Sequence, residues 1–317
     1  MAEYISKIQE ISKKILQDGK VDMVIGFSNG SLPMASKPCF IKNPEDVSKL
    51  IFDGNCGINL ANYLTGRKEK IGIIAKGCDS RNIAQLIVEN KIKREQLFII
   101  GVPCFQMLDK RKISLLFKEE IIQVNESDDK IIVKGKNKDK TFNRQDMLQE
   151  NCITCMHRNP VLYDELSGEL IEETAQKTDN YEDVKKIEAM SSEEKWKRFS
   201  KMLSSCVRCY ACRDACPLCY CPTCFVDEAS PQWVGKSADN KIDVKTFHIL
   251  RAFHCAGRCT DCGACERACP MGIKVREFTR KLNSDAMRYY EWEAGLTTDK
   301  RPLLDNFRVN DYQDFIK

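Results

Sequence analysis

Two stretches of the sequence repeat one arrangement of cysteines, and this repeat constrains what the C-terminal half of the chain can fold around. Each stretch reads Cys-x2-Cys-x2-Cys-x3-Cys-Pro. The cysteines are Cys206, Cys209, Cys212, Cys216, Cys259, Cys262, Cys265 and Cys269, and the prolines are Pro217 and Pro270. Three thiolates at this spacing can wrap one face of a [4Fe-4S] cubane, while the fourth cysteine of each stretch reaches the other cluster. The sequence therefore predicts a segment built around two clusters.

This spacing is typical of two-cluster ferredoxins, so we expect two crossed ligand sets. The first set would contain Cys206, Cys209, Cys212 and Cys269. The second set would contain Cys259, Cys262, Cys265 and Cys216. Because such clusters exchange single electrons, the pattern predicts an electron-transfer protein with a small α+β two-cluster ferredoxin-like module.

Four further cysteines lie between or beside these runs. Cys219, Cys221 and Cys224 follow Pro217, and Cys255 precedes the second run. With the eight cysteines of the repeat they are enough for a third cubane in this segment. A zinc site, a replacement ligand for a neighbouring cluster, or packing around a cluster would explain them equally. Cys255 is the weakest member of the group because it has no local partner.

Composition predicts a cytoplasmic protein with reduced thiols and no nucleic-acid partner. Lysine and arginine number 50 against 46 acidic residues, and these charges are spread along the chain. The first twenty residues carry charges throughout and lack an apolar signal region, so we do not expect the 18 cysteines to form a secreted disulfide framework. No apolar run approaches the roughly 20 residues that cross a bilayer, so we expect no direct membrane insertion.

The first half of the chain alternates between helical and strand patterns. Apolar spacing predicts a helix over residues 5–16, buried runs predict strands at 21–26, 71–75 and 97–102, and Ser80 is expected to cap an intervening helix. This alternation predicts an α/β domain with a mostly parallel sheet. We divide the chain into an N-terminal domain, a polar linker with a helix, the ferredoxin-like domain and a tail, at residues 1–163, 164–198, 199–285 and 286–317.

Four cysteines of the N-terminal half form a second candidate metal site. Cys78 and Cys104 each follow a predicted strand, at the sheet edge where open α/β folds bind ligands, and Cys152 and Cys155 form a close pair farther on. Together they would supply four thiolates from three segments. Structural zinc or scattered buried thiols are the alternatives. Cys39 and Cys56 remain, and we expect them to be buried as small apolar residues.

Taken together, these motifs resemble a known family. The sequence resembles the β subunits of coenzyme F420-linked hydrogenases and formate dehydrogenases in four motifs. These are Lys-Gly-Cys78-Asp, Ile-Gly-Val-Pro-Cys104, Cys152-x2-Cys155 and the run from Cys206 through Cys-Pro-Leu-Cys-Tyr-Cys. The resemblance spans most of the chain and is greatest to the formate dehydrogenase β subunit. It implies an N-terminal domain with FAD and one [4Fe-4S] cluster on the four cysteines just described. It also implies further clusters in a ferredoxin-like module, giving three clusters with a fourth metal site as an open question.

FAD is implied by the resemblance alone. The stretch Gly26-Phe-Ser-Asn-Gly-Ser31 is not a dinucleotide fingerprint, because it lacks G-x-G-x-x-G before a helix. We expect flavin contacts around Ser28, Asn29, Gly30, Asn55 and Asn59, between the loops that carry the N-terminal cysteines.

The resulting hypothesis is an iron–sulfur flavoprotein that relays electrons within a larger redox complex. Partners would be a formate dehydrogenase, a hydrogenase or a heterodisulfide-reductase-like assembly, and the diffusible carrier would be F420, NAD(P) or ferredoxin. A flavin-free iron–sulfur adaptor is the main alternative, followed by a free-standing F420- or NAD(P)-dependent oxidoreductase and a zinc scaffold. The sequence contains no ligand pattern for molybdopterin or nickel. Its three histidines lack a nucleophile or carboxylate partner by spacing, so we expect packing roles and no catalytic residue.

Overall fold

The computed structural model describes residues 2–127, 129–173, 181–237, 241–305 and 309. The chain divides into two compact units. The N-terminal unit comprises Met1–Leu60, Gly66–Ser80 and Ile92–Ala175. The C-terminal unit comprises Ala61–Thr65, Arg81–Lys91 and Gln176–Lys317.

The N-terminal unit contains two sheets and several short helices. Its elements in chain order are α1 (Ala2–Gln17), β1 (Met23–Asn29), β2 (Ser36–Ile41), β3 (Ile71–Ala75), α2 (Gly77–Val88), β4 (Leu97–Gly101), α3 (Lys110–Phe117), β5 (Ile121–Glu126), β6 (Lys130–Gly135), β7 (Asp139–Asn143), α4 (Glu150–Ile153) and β8 (Glu165–Leu166). Helix α2 begins in this unit, and from Arg81 onward its residues belong to the C-terminal unit. Short 3-10 helices form at Pro44–Lys49 and at Leu60–Tyr63. The apolar spacing of the sequence also indicates helical structure around Pro44 and around Leu60.

The larger sheet has the strand order β2-β1-β3-β4-β8. Strands β1, β3, β4 and β8 run parallel, and β2 pairs antiparallel with β1. Strand β3 is buried along its whole length, because β1 and β4 flank it and α1 covers one face. Ile8, Ile11 and Ile15 of α1 are each 1% exposed, and burial of such a side chain contributes roughly 1.5–3 kcal/mol. The mostly parallel α/β sheet predicted from the sequence is confirmed.

The smaller sheet is an antiparallel meander with the order β5-β6-β7. A turn at Gly135 joins β6 to β7, where the Gly135 amide donates to the carbonyl of Lys138 at 3.0 Å. In the sequence, Ile131, Ile132 and Val133 beside Gly135 and Asn137 predict a β-hairpin here, and the antiparallel pairing of β6 with β7 confirms it. One face of the sheet packs on α3, and their shared core includes Phe117, Ile131 and Val133.

The described residues of the C-terminal unit contain helices and loops without a strand. Its helices are α5 (Glu182–Glu188), α6 (Ser192–Leu203), α7 (Ala211–Asp214), α8 (Lys241–His254), α9 (Ala264–Ala268) and α10 (Arg276–Tyr290). Its core centres on Phe247, whose ring contacts those of Tyr210 and Phe225. Turns and short helices, rather than sheet pairing, hold the cysteine loops here. The α+β ferredoxin-like character expected from the sequence is not confirmed.

Two local predictions have different outcomes. Ser191 caps α6 as part of a capping box with Glu194, which matches the predicted amphipathic helix. Ser80, by contrast, does not cap α2: the helix begins at Gly77, and the Ser80 hydroxyl donates to the Gly77 carbonyl inside it. Asp79, one residue closer to the helix start, accepts from the Lys76 amide instead. Within the described residues, no helix combines the length and apolar character of a membrane span.

Candidate metal-binding sites

The sheet brings the N-terminal cysteines to its carboxyl edge. Cys78 lies in the first turn of α2 directly after β3, and Cys104 follows β4 by three residues. Cys152 lies in α4, and its Sγ accepts a hydrogen bond from the Met107 amide at 3.3 Å. Since β3 and β4 are parallel neighbours, the residues that follow them emerge at the same edge.

The charges of these thiols act on one another, which places them in one neighbourhood. Burial, together with the thiols of Cys152 and Cys155, raises the pKa of Cys104 to about 12, while Lys76 opposes the shift. The charge of Lys76 responds in turn to Cys78 and Cys104. Buried thiols with raised pKa values need a nearby cation in order to ionise, and a metal ion or cluster would provide that positive charge.

Lys76 is a buried cation at this edge that the sequence analysis did not single out. Its ammonium group is 1% exposed, pairs with Asp79 at 2.7 Å, donates to the Ile58 carbonyl at 2.9 Å and lies 5.2 Å from the ring centre of Phe27. Burial lowers the pKa of Lys76, but the Asp79 carboxylate and the nearby thiols outweigh it and raise the pKa overall. Lys76 therefore remains charged beside the cysteines. The sequence signal that could have identified Lys76 is its position directly after the predicted strand at 71–75 and directly before Gly77-Cys78.

Gly77 allows the chain to pass close to Cys78. A Cβ at this position would collide with the backbone carbonyl oxygen of His157 and approach the carbonyl carbon of Arg158. The Arg158 carbonyl in turn accepts a hydrogen bond from the Cys104 amide at 3.0 Å. The glycine thus permits the packing that holds Cys104 and the segment after Cys155 beside α2.

The residues expected to contact flavin cluster partly around the same edge. Asn59 is 1% exposed and donates its side-chain amide to the Cys78 carbonyl at 3.2 Å, and the Asn55 carbonyl accepts from the Ser36 hydroxyl at 2.8 Å. Ser28 and Asn29 are the last two residues of β1. Gly30 has a structural explanation of its own: it begins the turn into β2, where a Cβ would lie 2.8 Å from Ala35.

The two cysteine runs of the C-terminal unit share one backbone conformation. The second and fourth residues after the start of each run have positive φ, at 50° and 58° for Arg208 and Tyr210 and at 57° and 69° for Asp261 and Gly263. A short helix follows in each case, α7 in the first run and α9 in the second. Left-handed conformations are uncommon outside glycine, so their recurrence at equivalent positions marks two copies of one ligand-binding loop.

Backbone and side-chain donors point at the thiols of both loops. The Arg208 amide donates to Cys206 Sγ at 3.4 Å, and the equivalent Asp261 amide donates to Cys259 Sγ at 3.4 Å. His248 Nε2 lies 3.3 Å from Cys206 Sγ. Burial and two neighbouring arginines lower the pKa of His248 to about 4, so the ring is neutral and can donate from one nitrogen. Such N–H···S bonds stabilise thiolates and tune the clusters they bind.

Three thiols of this unit have electrostatic neighbours in both cysteine runs. Burial, together with the thiols of Cys206, Cys269 and Cys209, raises the pKa of Cys212 to about 11. Burial, together with the charges of Asp261, Cys262 and Cys216, likewise raises the pKa of Cys259 to about 12. Cys265 responds to Cys216, Cys259 and Cys262. The fourth cysteine of each run thus lies in the neighbourhood of the other run.

Different partners hold the two loops. The Arg208 guanidinium in the first loop donates to the carbonyls of Gly235 and Ser237 and to the Tyr210 hydroxyl. Asp261 in the second loop forms ion pairs with Arg276 at 2.5 Å and Arg280 at 2.8 Å from α10. Carbonyls and a hydroxyl thus hold the left-handed residue Arg208 of the first loop, whereas ion pairs hold the left-handed residue Asp261 of the second.

Glu89 anchors the chain beside both runs. Its carboxylate accepts from the Tyr220 hydroxyl at 2.6 Å and pairs with the Arg258 guanidinium at 2.5–2.6 Å. Burial opposes ionisation of Glu89, but Arg258 and Tyr220 outweigh it and lower its pKa. Tyr220 stands between Cys219 and Cys221, and Arg258 precedes the second run, so one carboxylate positions both segments.

The additional cysteines do not group as their spacing suggested. Cys216, Cys219 and Cys255 bring their sulfur atoms within 4.8 Å of one another. Cys221 is exposed and lies outside this group, and Cys224 has intermediate exposure. Cys255, which had no partner in its own segment of the sequence, therefore becomes a central member. Of the remaining cysteines, Cys56 is fully buried and Cys39 is half-buried.

These features define a cysteine-rich α/β redox protein whose thiols fit iron–sulfur clusters. Comparisons with known proteins agree with this class. F420-dependent formate dehydrogenase subunit beta of Methanocaldococcus jannaschii is 26% identical over 368 residues, covering 96% of this chain and 95% of that protein. F420-dependent formate dehydrogenase 1 subunit beta of Methanococcus maripaludis is 24% identical over 362 residues, covering 94% and 92%. The chain is therefore similar to these β subunits over nearly its whole length, which supports the resemblance that its cysteine motifs indicated.

Two other comparisons add less. No protein-family model matches the sequence. A chain of the F420-reducing [NiFe] hydrogenase complex of Methanosarcina barkeri, from a xenon-derivatised structure, superimposes with a TM-score of 0.38 at 14% identity. That match covers 50% of this chain and 59% of the other, and a score of this size does not establish a shared fold.

Proposed function

We propose that this chain is the electron-relay subunit of an F420-linked formate dehydrogenase complex. It would carry FAD and one [4Fe-4S] cluster in the N-terminal unit and two [4Fe-4S] clusters on the paired cysteine loops. The complex and its carrier are proposed because the two relatives, which match nearly the whole chain, are named F420-dependent formate dehydrogenase β subunits. Oxidation of formate would take place on a partner subunit.

The paired cysteine loops are the observation that carries this proposal. Both loops have left-handed residues at the same two positions, both direct a backbone amide at the sulfur of their first cysteine, and both continue into a short helix. A structural zinc site does not require two copies of such a loop. Two cubanes held by crossed ligand sets explain the repeat, the spacing and the amide donors together.

In the N-terminal unit the proposed ligands are Cys78, Cys104, Cys152 and Cys155. The donor set is four thiols at the carboxyl edge of a parallel sheet, with the Met107 amide already directed at one sulfur. Flavin, when bound, links two-electron chemistry to one-electron chemistry. The protein's contribution at this edge would be the fixed positive charge of Lys76, which favours negatively charged groups beside Cys78 and Cys104.

The test is a cofactor inventory on full-length protein purified without oxygen. Three cubanes and a flavin predict about 12 Fe, an equal amount of acid-labile sulfide and about one FAD per chain. About 8 Fe without flavin, unchanged by reconstitution, would refute the N-terminal part of the proposal and leave an iron–sulfur adaptor. Colourless protein that contains zinc and no iron would refute the whole proposal.

Variants then assign the clusters. Cys259→Ser is expected to lose about 4 Fe with FAD retained, and Cys104→Ser to lose a different cluster signal in the electron paramagnetic resonance spectrum. Cys39→Ser, which removes a half-buried thiol on β2, is the control and should keep the full content. Titration of the oxidised protein with reduced F420 and, separately, with NADPH identifies the carrier. Reduction by NADPH alone would contradict the F420 assignment.

A further inference from the structure

The group formed by Cys216, Cys219 and Cys255 is a site that the three proposed clusters do not account for. Its three sulfur atoms lie within 4.8 Å of one another, and among the residues the structure describes no other group of potential ligands is as close. Cys255 follows α8 and is 3% exposed. Cys216 and Cys219 form a Cys-x2-Cys turn in which the Cys219 amide donates to the Cys216 carbonyl at 3.0 Å.

The spacing of the sulfur atoms decides between a cluster and a single ion. In a tetrahedral zinc site with bonds of about 2.3 Å, neighbouring thiolate sulfurs stand about 3.8 Å apart. The thiolates of a cubane bind separate iron corners and stand about 6 Å apart. The sulfur–sulfur separations in this group are all within 4.8 Å, which fits a tetrahedral zinc site and is too short for a cubane. The Cys-x2-Cys turn is also the usual ligand pair of structural zinc sites.

A buried cation lies beside the group. Arg251 is 5% exposed, donates one guanidinium nitrogen to the Cys212 carbonyl at 2.9 Å, and has no hydrogen-bond partner for Nε. No carboxylate among the described residues forms an ion pair with it, and its charge interacts with the sulfurs of Cys265, Cys216, Cys255 and Cys219. A buried guanidinium needs anions nearby, and a metal bound by three thiolates carries a net negative charge. Arg251 therefore provides the countercharge for such a site.

We propose that Cys216, Cys219 and Cys255 bind a single thiophilic divalent cation, Zn²⁺, next to the second iron–sulfur cluster. The fourth position would be filled by Cys224, whose charge acts on Cys219, or by water. Cys216 also lies in the neighbourhood of Cys259 and Cys265, so this sulfur would bridge the zinc ion and the cluster. Only this bridging role rests on the proposed function. The zinc site itself stands on the geometry of the three sulfurs.

Metal content per chain tests the proposal on the full-length protein purified without oxygen. The parent is expected to hold about one Zn in addition to its iron. Cys255→Ser and Cys219→Ser should each lose that zinc while retaining the iron and the cluster spectra. Cys216→Ser should lose zinc and about 4 Fe together, because its sulfur serves both metals. Cys39→Ser, in the other unit, is the control and should retain both.

Several outcomes would overturn the proposal. Protein that binds no zinc after exposure to Zn²⁺, or a Cys255→Ser variant that keeps its zinc, would show that the group does not bind this ion. Loss of about 4 Fe from Cys255→Ser would show a cluster in its place. Loss of zinc from Cys221→Ser would assign the ion to a different cysteine set. If Cys255→Ser and Cys219→Ser keep their iron, the variants have folded, and any loss of zinc is due to the missing ligand. Absence of iron in the parent would refute the proposed function without bearing on zinc.

Discussion

Removing the partner of a buried charge should weaken the N-terminal unit markedly. Asp79 is fully buried, and its carboxylate holds the Lys76 ammonium at 2.7 Å while accepting from two backbone amides at 3.2 Å. Asp79→Asn keeps one oxygen acceptor but leaves the cation without its anion. Breaking a buried pair in this way costs about 3–5 kcal/mol. At roughly 2–4 °C per kcal/mol for a domain of this size, the melting temperature should fall by about 6–20 °C.

The assay is thermal unfolding without oxygen, followed through the far-ultraviolet circular dichroism of the full-length protein. Lys76→Met/Asp79→Asn removes the unpaired cation and should recover much of the loss, since replacing both charges of a buried pair is often nearly neutral. Lys49→Met, which breaks an exposed pair with Asp46, is the control and should leave the melting temperature nearly unchanged. A decrease of less than about 1 kcal/mol for Asp79→Asn, or no recovery in the double variant, would refute this reasoning.

Three other perturbations test separate parts of the molecule. Gly77→Ala should reduce the iron content by about 4 per chain, because the new methyl group displaces the backbone that supports Cys104; Gly19→Ala, which strains a left-handed residue but meets no neighbouring atom, should keep the iron. His248→Phe should make one cluster potential more negative by roughly tens of millivolts in a redox titration, because an N–H···S bond is lost; an unchanged potential would contradict that role. The pKa of Glu89 is lowered in the fold, so its contribution to stability is present above the unfolded pKa of about 4.3 and is lost as pH falls through the folded pKa. Glu89→Gln should therefore lose less unfolding free energy than the parent as the pH falls below about 4.3, and parallel curves would count against the pair.

The strands that position the candidate site could be predicted from the sequence because they are buried on both faces. Residues 71–75 and 97–101 are continuous apolar runs, and runs of this kind are typical of the interior of a parallel sheet. Strand β2 was missed. It lies at the edge of the sheet, its exposure does not alternate regularly, and Pro38 interrupts the pattern of its residues. Edge strands carry weaker signals because only part of their surface is buried.

Spacing predicted the cysteine runs but not the group around Cys255. Local spacing reports only ligands that lie within one segment, whereas α8 brings Cys255 to the Cys216 turn from 39 residues away in the sequence. The same limit applies to Lys76 and Arg251, whose roles depend on burial that follows from tertiary packing. The crossed cysteine sets and the flavin contacts remain predictions, and the experiments above test them.

The two copies of the ligand loop have kept one backbone while acquiring unrelated supports. Neutral carbonyls hold Arg208 in the first loop, whereas two arginines of α10 hold Asp261 in the second. A duplicated loop with separate supports can change at one copy without disturbing the other. Descendants of such a duplication can therefore adjust the supports of the two positions independently.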